Sequence, residues 1–577
     1  MRELLKYLNN YKKECVLAPL FKMLEAVFEL IVPLVIAYMI DRGIKGSEPK
    51  TITVCFVILL LLGLCGLAVS VTAQYFAAKA ATGFSKDLRH DLFSHILTFG
   101  FSEIDNTGTS KLITRCTSDV NILQNGVNMF LRLFLRSPFI VLGAMIMAFT
   151  IDAVSALVFV FVIILLGIAV TLIMRANIPM LKMAQTKLDG VLGLVRENLS
   201  GARVIRAFTL EEHQINDFHG ANSELTGVQM RAGSISGLLN PLTYVMINIA
   251  IVILIKVGDV RTDAGIITTG QVVALYNYMS QILLELIKFA NLIVTLNRSF
   301  ASAIRVNEIF DTQPSMKNGS IQYESSDESN VPLIEFKDVS LKYHQNADEA
   351  ISNITFSINR KETFGIIGGT GSGKTSVCSL IPRFYDATGG KVLINGRDVK
   401  EYDLTSLRKS VHTVMQKAVL FEGTIRENLK WGNEDASDDE LMKAVENAVC
   451  SEVVSVKGGL DAGIEAGGKN LSGGQRQRLS IARALAGRAD ILIFDDSSSA
   501  LDHLTDQKLR QNIANLPNDP AVIMIAQRTV SVQDCDRILV LEDGQMAGLG
   551  THEELLETCP VYKEIYDSQN RVADEVE

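Results

Sequence analysis

Metal-spaced cysteine pairs and runs of basic residues are both missing from this chain. Its eight cysteines, Cys15, Cys55, Cys65, Cys116, Cys378, Cys450, Cys535 and Cys559, lie far apart, with no CxxC spacing and no histidine cluster beside them. That excludes a zinc ribbon and a disulfide scaffold, and free thiols are expected. A formal net charge of -9, without a basic tail or interleaved aromatic and basic residues, gives nucleic acid no broad surface to bind, and it is discounted as a partner. Charge of either sign is scarce, at 21% against 48% hydrophobic residues, and the apolar residues concentrate before about residue 300. There they form blocks longer than a soluble core needs, which is a membrane distribution. The basic MRELLKYLNNYKKE precedes an apolar stretch too long for a secretory signal and without a small-residue cleavage pattern, so an anchor is expected. At 577 residues the chain is too long for one core.

Apolar segments run from Val16 to Ile40, Ile52 to Phe76, Phe130 to Phe149, Ala153 to Met174, Ile235 to Val257 and Val272 to Thr295. Each is long enough to span a bilayer at about 1.5 Å per residue. Short connections alternate with long polar ones at Ala77 to Met129 and Arg175 to Ser234. The long connections and the N-terminus carry Arg2, Lys6, Lys12, Lys13, Lys86, Arg89, Lys111, Arg175, Lys182 and Arg206, which places them on the cytoplasmic side. Both termini then share that side. Few Gly or Pro interrupt the long connections, so the membrane helices are expected to continue into the cytosol and turn there. Lys22, Glu25 and Glu29 share one face of the first span, and Asn277, Gln281, Glu285 and Lys288 form a stripe on the sixth. Ionisable groups in mid-bilayer cost about 3 kcal/mol or more, so such stripes face protein or water. Mutual pairing inside the bundle and lining of a substrate path are both open readings of Glu25, Glu285 and Lys288.

From about Val331 short β-rich runs alternate with helices, the pattern of an α/β domain. GGTGSGKT, comprising Gly368, Gly369, Thr370, Gly371, Ser372, Gly373, Lys374 and Thr375, follows the apolar strand FGII and precedes a helix. It fits the P-loop, in which backbone N–H groups wrap phosphates, Lys374 reaches the β and γ phosphates and the Thr375 hydroxyl ligates Mg²⁺. The strand ILIFDD ends in Asp495 and Asp496. Alone, an apolar run ending in acid is weak evidence; after a P-loop, Asp495 fits the metal-contacting Walker B carboxylate.

LSGGQ (Leu471, Ser472, Gly473, Gly474, Gln475) is followed by RQRLSIARAL, then by SALD from Ser499 to Asp502. With the P-loop and Walker B strand in their order, these residues resemble the ATP-binding cassette. The resemblance implies ATP and Mg²⁺ as cofactors, Tyr343 stacked on adenine, Gln416 sensing Mg²⁺ beside Thr375 and Asp495, and Asp502 in the nucleotide-binding set. Without that context Tyr343 reads equally as a core tyrosine and Gln416 as a solvated polar residue. The membrane half resembles the exporter type. The fold expected is an all-α six-helix transmembrane domain of the type I exporter kind, fused to a cytosolic α/β P-loop domain. The expected boundaries are an elbow at 1–14, the transmembrane domain at 15–310, a linker at 311–332, the cassette at 333–568 and a polar tail at 569–577. ENLSGARVIRAFTLEEH, Glu197 to His213, is similar to the family's loop that presents a coupling helix to a partner's cassette. The turn at Phe101 to Thr107 is its counterpart in the first loop.

Two positions depart from the family. The acid after Walker B, a glutamate that positions the attacking water, is here Asp496, and the switch-loop histidine is here Gln527. Asp is a methylene short, and a misplacement of about 1 Å can cost about 100-fold in rate. In the family two cassettes join head to tail, each ATP lying between one P-loop and the other chain's signature. The resemblance therefore implies a heterodimer with a plasma-membrane partner that carries Glu and His, whose site is completed by Ser472 and Gln475 of this chain. The alternatives are a homodimeric lipid or peptide exporter and an ATP-gated regulatory or channel-like subunit.

Overall fold

A computed structural model of the chain describes residues 4–325, 331–344, 347–497 and 501–574. Arg2 and Ser499 lie outside the described residues. The chain divides into two compact units, Met1–Leu97 with Ser110–Thr312, and Thr98–Thr109 with Gln313–Glu577.

Among the described residues, the first unit contains six helices long and apolar enough to cross a membrane: Leu4–Ile44, Pro49–Leu97, Thr109–Ile151, Ala153–Ser200, Glu211–Asp263 and Thr269–Asp311. They hold the six apolar segments and run far past them. At 41 to 53 residues they are about 60–80 Å long, twice a hydrocarbon core. The long connections are thus helical, as their low Gly and Pro content implies. Local chemistry fixes the sharp ends. Asp152 accepts from the Ser155 N–H at 2.9 Å and starts the fourth span, and a Thr268–Gln271 capping box starts the sixth.

Spans cross on small residues. Ala18, Ala77 and Ala80 bring the first two helices together against Leu131. Ala144, Ala148, Ala156 and Ala274 do the same around Phe159, Leu254 and Tyr278. Leu60, Leu64, Leu67 and Val71 of the second span are each more than half exposed. An apolar face of that extent belongs against lipid or protein rather than water.

The polar stripes meet inside this unit. Arg136, from the third span, reaches Glu285 at 2.7 Å, both oxygens of Glu29 at 2.8 Å and Glu25 at 3.9 Å. Ser137 and Lys288 also donate to Glu285, each at 2.8 Å. Lys22 bridges Glu25 at 2.5 Å and Ser70 at 3.1 Å. Gln281 donates to the Glu29 carbonyl at 3.2 Å, while Asn277 turns back to Val273 of its own helix. Three cations and three carboxylates from three spans therefore pair in a cluster. The pairing explains how the charges reside there, since a buried charge persists only when paired and hydrogen-bonded.

The second unit contains strands β1 (Ile334–Leu341), β2 (Ile351–Ile358), β3 (Thr363–Gly368), β4 (Gly389–Ile394), β5 (Arg397–Asp398), β6 (Val411–Val414), β7 (Gly423–Thr424), β8 (Gly463–Ile464), β9 (Ile491–Asp495), β10 (Ala521–Ala526), β11 (Arg537–Glu542) and β12 (Gln545–Gly550). A six-stranded sheet runs β12-β11-β3-β10-β9-β6, and β2-β1-β4-β5 forms a second. From β11 to β6 the pairings are parallel. All six residues of β10 and all five of β9 are buried, as near-continuous apolar runs in a covered parallel sheet require.

Arg136→Ala should leave Glu25, Glu29 and Glu285 without their shared cation. Losing one partner of such a buried cluster costs about 3–5 kcal/mol, so the detergent-solubilised protein should aggregate at a clearly lower temperature than wild type. A melting midpoint unchanged by the substitution would show that the cluster carries no structural load.

Candidate functional site

The parallel order β3-β10-β9-β6 sends the C-terminal ends of four strands to one edge, where ligands of open α/β sheets bind. β3 delivers the P-loop, β9 delivers Asp495 and Asp496, β10 ends at Ala526 before Gln527, and β6 ends two residues before Gln416. Sequence positions spread over some 160 residues are thereby brought together.

Glycine is required in the P-loop by backbone and by space. Gly371 and Gly373 have φ of 84° and 93°. A Cβ on Gly373 would lie 2.6 Å from Ile351 Cγ2 and 2.8 Å from the Ala350 carbonyl. The loop opens the helix Lys374–Leu380. Lys374 is buried and donates to the Gly368 and Gly369 carbonyls at 2.9 and 2.6 Å. The Thr375 hydroxyl donates to Asp495 Oδ1 at 3.1 Å. Burial holds the Lys374 ammonium below the ordinary lysine range, against the pull of Asp496 and Asp495. Burial likewise pushes the Asp495 carboxyl up, opposed by the Thr375 hydrogen bond and reinforced by Asp496. Both shifts mark charges short of solvation, which phosphates at Lys374 and a divalent cation at Thr375 and Asp495 would supply. The residues therefore fit Mg-ATP.

Asp496 stands at φ 45° and is engaged from two sides. Gln416 Nε2 donates to its Oδ2 at 3.3 Å and Gln527 Nε2 to the same oxygen at 3.2 Å. Gln416 thus meets Asp496, the residue next to Asp495. Tyr343 packs edge-on against Tyr385 at 5.0 Å and shares a hydrogen bond with Ser376 at 2.8 Å. Tyr385, which belongs to no motif, donates to Asp105 at 2.6 Å, and the Phe101 ring lies tilted against Phe384 with centroids 4.5 Å apart. The Phe101–Thr107 helix is thereby seated on the second unit.

The signature stands apart from this edge. Ser472 caps the helix Gly473–Leu485, accepting from the Gln475 N–H at 3.3 Å, while Gln475 Oε1 accepts from the Ser472 N–H at 2.9 Å. Among the described residues no hydrogen bond joins the signature to the P-loop. Leu471 is buried, Ser472 and Gly473 are exposed, and Gly474 is half-buried. Asp502 caps the helix His503–Ala514, accepting from the Thr505 N–H and hydroxyl at 3.0 and 2.7 Å. Two surfaces complete the picture. The second unit carries a groove of about 1330 Å³ lined by Phe384, Met415, Val419 and Trp431. In the first unit the helix Ala202–Ala207 buries no residue, and Val204 and Phe208 at the turn are exposed.

Residues 15–286 match the ABC transporter transmembrane region, and residues 351–499 the ABC transporter family. The chain is 33% identical over 571 residues to the uncharacterized ABC transporter ATP-binding protein YfiB of Bacillus subtilis, covering 99% of this chain and 98% of YfiB. It is 32% identical over 570 residues to the uncharacterized ABC transporter ATP-binding protein Rv1273c of Mycobacterium tuberculosis, with 98% and 97% covered. A solved structure, a bacterial Atm1-family ABC exporter with ATP bound, superposes with a TM-score of 0.80 at 21% identity, covering 97% of this chain and 98% of that one. Six apolar helices followed by an α/β nucleotide-binding domain in the exporter fold thus define an ATP-driven membrane transport protein. The chain belongs to the ABC transporter family.

Asp495→Asn separates stability from binding. Burial favours the neutral carboxyl, so the amide should leave the nucleotide-free protein as stable as wild type or more so at neutral pH. That gain should vanish as the pH falls and Asp495 protonates. The rise in melting temperature on adding Mg-ATP should be lost in this variant. Lys374→Ala should lose it too, and thermal shifts with and without Mg-ATP measure both.

Proposed function

We propose that the chain is one half of a dimeric exporter that couples ATP binding and hydrolysis to outward transport of amphipathic, drug-like or lipid-like molecules across the plasma membrane. Both termini and the cassette face the cytoplasm. Lys374, Thr375 and Asp495 hold Mg-ATP at this chain's own site, with Tyr343 against the base. Bound Mg-ATP supplies the phosphoryl group and the metal charge; the chain's residues bind, orient and exclude water.

The carrying observation is the Gln416–Asp496–Gln527 contact. The carboxylate where the family places a water-positioning glutamate is one methylene short and has an oxygen occupied by two amides. Gln527 donates a neutral hydrogen bond and brings no positive charge to the developing phosphate charge. This chain's own site therefore binds ATP and hydrolyses it slowly. Its signature is intact, and Ser472 stands exposed at a helix N-terminus, where an anion is favoured. It completes the full site of a different half-transporter carrying Glu and His. The uncovered Ala202–Ala207 helix with Val204 and Phe208, and the groove beside Trp431, are matching surfaces for exchange of coupling helices between two such chains.

In the purified complex with its unmodified partner, Ser472→Ala in this chain should lower steady-state ATPase by about 100-fold, because a donor to the partner's transition state is lost. Asp496→Asn should retain most activity. Equal collapse from both would make Asp496 a working base, and brisk hydrolysis by this chain purified alone would favour the homodimer. ATP binding without substrate accumulation against a gradient would favour the gated subunit.

A further inference from the structure

We propose that Gln569 is a positioning residue of the switch loop, through which the C-terminal helix sets where Gln527 stands at the nucleotide edge. The helix Pro560–Asp574 is anchored by Tyr562, which is fully buried and whose hydroxyl lies 2.7 Å from His552 Nδ1, with Val561 and Ile565 packed on the same core. Residues 562, 565 and 569 fall on one helical face, so the anchored face carries Gln569 inward.

There its amide is used at both ends. Oε1 accepts from the Thr529 N–H at 2.9 Å and from the Thr529 hydroxyl at 3.1 Å, and Nε2 donates to the Gln527 carbonyl at 2.8 Å. Thr529 is fully buried. One side chain thus grips the backbone on both sides of Arg528, just after β10 has ended and the sheet no longer satisfies these groups. The Gln527 side chain leaves the same gripped segment and meets Asp496 at 3.2 Å. A connected path runs from the buried helix through Gln569 and the loop backbone to Gln527 and Asp496. Placement matters more for Gln527 than for a histidine, because a neutral amide acts only within hydrogen-bond range and alignment, whereas a cation acts over distance. Glutamine at 569 is suited to the grip since it both accepts and donates at that length; glutamate keeps the acceptor and loses the donor.

The inference rests on reading 527–529 as the switch loop of the proposed nucleotide site. Its test is amide hydrogen exchange of the full-length protein in detergent, without turnover, so the slow-hydrolysis reading can fail while this one stands. In Gln569→Leu, exchange across 527–531 should rise about tenfold, the size expected for losing a hydrogen-bonded clamp. Exchange in β9 and β10 should not change. The concentration of Mg²⁺ with a non-hydrolysable ATP analogue needed to half-protect the loop should rise several-fold. Gln569→Glu should lie between wild type and leucine in both readouts. A purely packing role predicts the reverse order, with the apolar leucine mildest. That order, unchanged loop exchange in leucine, or faster exchange throughout β9 and β10 would each overturn the proposal.

Discussion

The parallel register of β3, β10, β9 and β6 is the constraint on which the nucleotide site depends. In that register Ala526 pairs with Ile367, and Ile525 with Asp495, so the loops leaving these strands emerge side by side. The P-loop lysine, the Walker B acid and the switch glutamine occupy one edge because parallel strands all end on the same side, and a slip of ILIF would draw Asp495 into the covered sheet. The electrostatic cost of the arrangement shows in the opposite shifts of Lys374 and Asp495, both caused first by burial. Such shifts are those of a site preorganised for charges of both signs.

In the membrane unit the corresponding constraint is electroneutrality. Glu25, Glu29 and Glu285 lie along two helices that alanine-lined crossings hold close, and no lipid environment tolerates three such carboxylates unpaired. Arg136 meets all three, with Lys22 and Lys288 at the flanks. The fixed guanidinium fork suits one cation serving several acceptors, a task to which lysine's single ammonium is poorly matched. The cluster ties the first, third and sixth spans at a defined register. Glu29 and Lys288 retain 41% and 46% side-chain exposure, so the network also presents charge outward from its buried centre.

Much of this was legible in the sequence, for identifiable reasons. Apolar runs of span length and helical connections poor in Gly and Pro announce long membrane helices, and they are present. The P-loop and Walker B strand are legible because phosphate chemistry restricts both residue type and neighbouring elements. Arg136 was not assigned a role, although it lies inside the third apolar run; an arginine near a segment's end reads as snorkelling until its partners on other helices are seen. Gln569 was hidden more deeply. The polar DSQNRVADEVE reads as a tail from residue 569, but the helix continues to Asp574 because Tyr562 and Ile565 dock it on the core. Tertiary packing, not intrinsic propensity, supplies most of the stability of such a short helix. Tyr385 carries no signal either, since its contacts lie far upstream, 42 residues away at Tyr343 and 280 residues away at Asp105.

Those last contacts link the two ends of the second unit. Tyr343 touches Tyr385, and Tyr385 holds Asp105 of the Phe101–Thr107 helix, which Phe101 also pins to Phe384. Glu103 locks the same helix by accepting from the Gly100 N–H at 2.8 Å and the Ser315 N–H at 3.2 Å. The hairpin between the second and third spans is therefore part of the cassette's own packing, with its chain ends leading directly into those spans. Ser376, on the helix that follows the P-loop, hydrogen-bonds the Tyr343 hydroxyl. The helix Lys374–Leu380 thus carries both the Thr375–Asp495 contact and the Ser376–Tyr343 hydrogen bond. Within the second unit, contacts run without a break from Asp495 through Thr375, Ser376, Tyr343 and Tyr385 to Asp105.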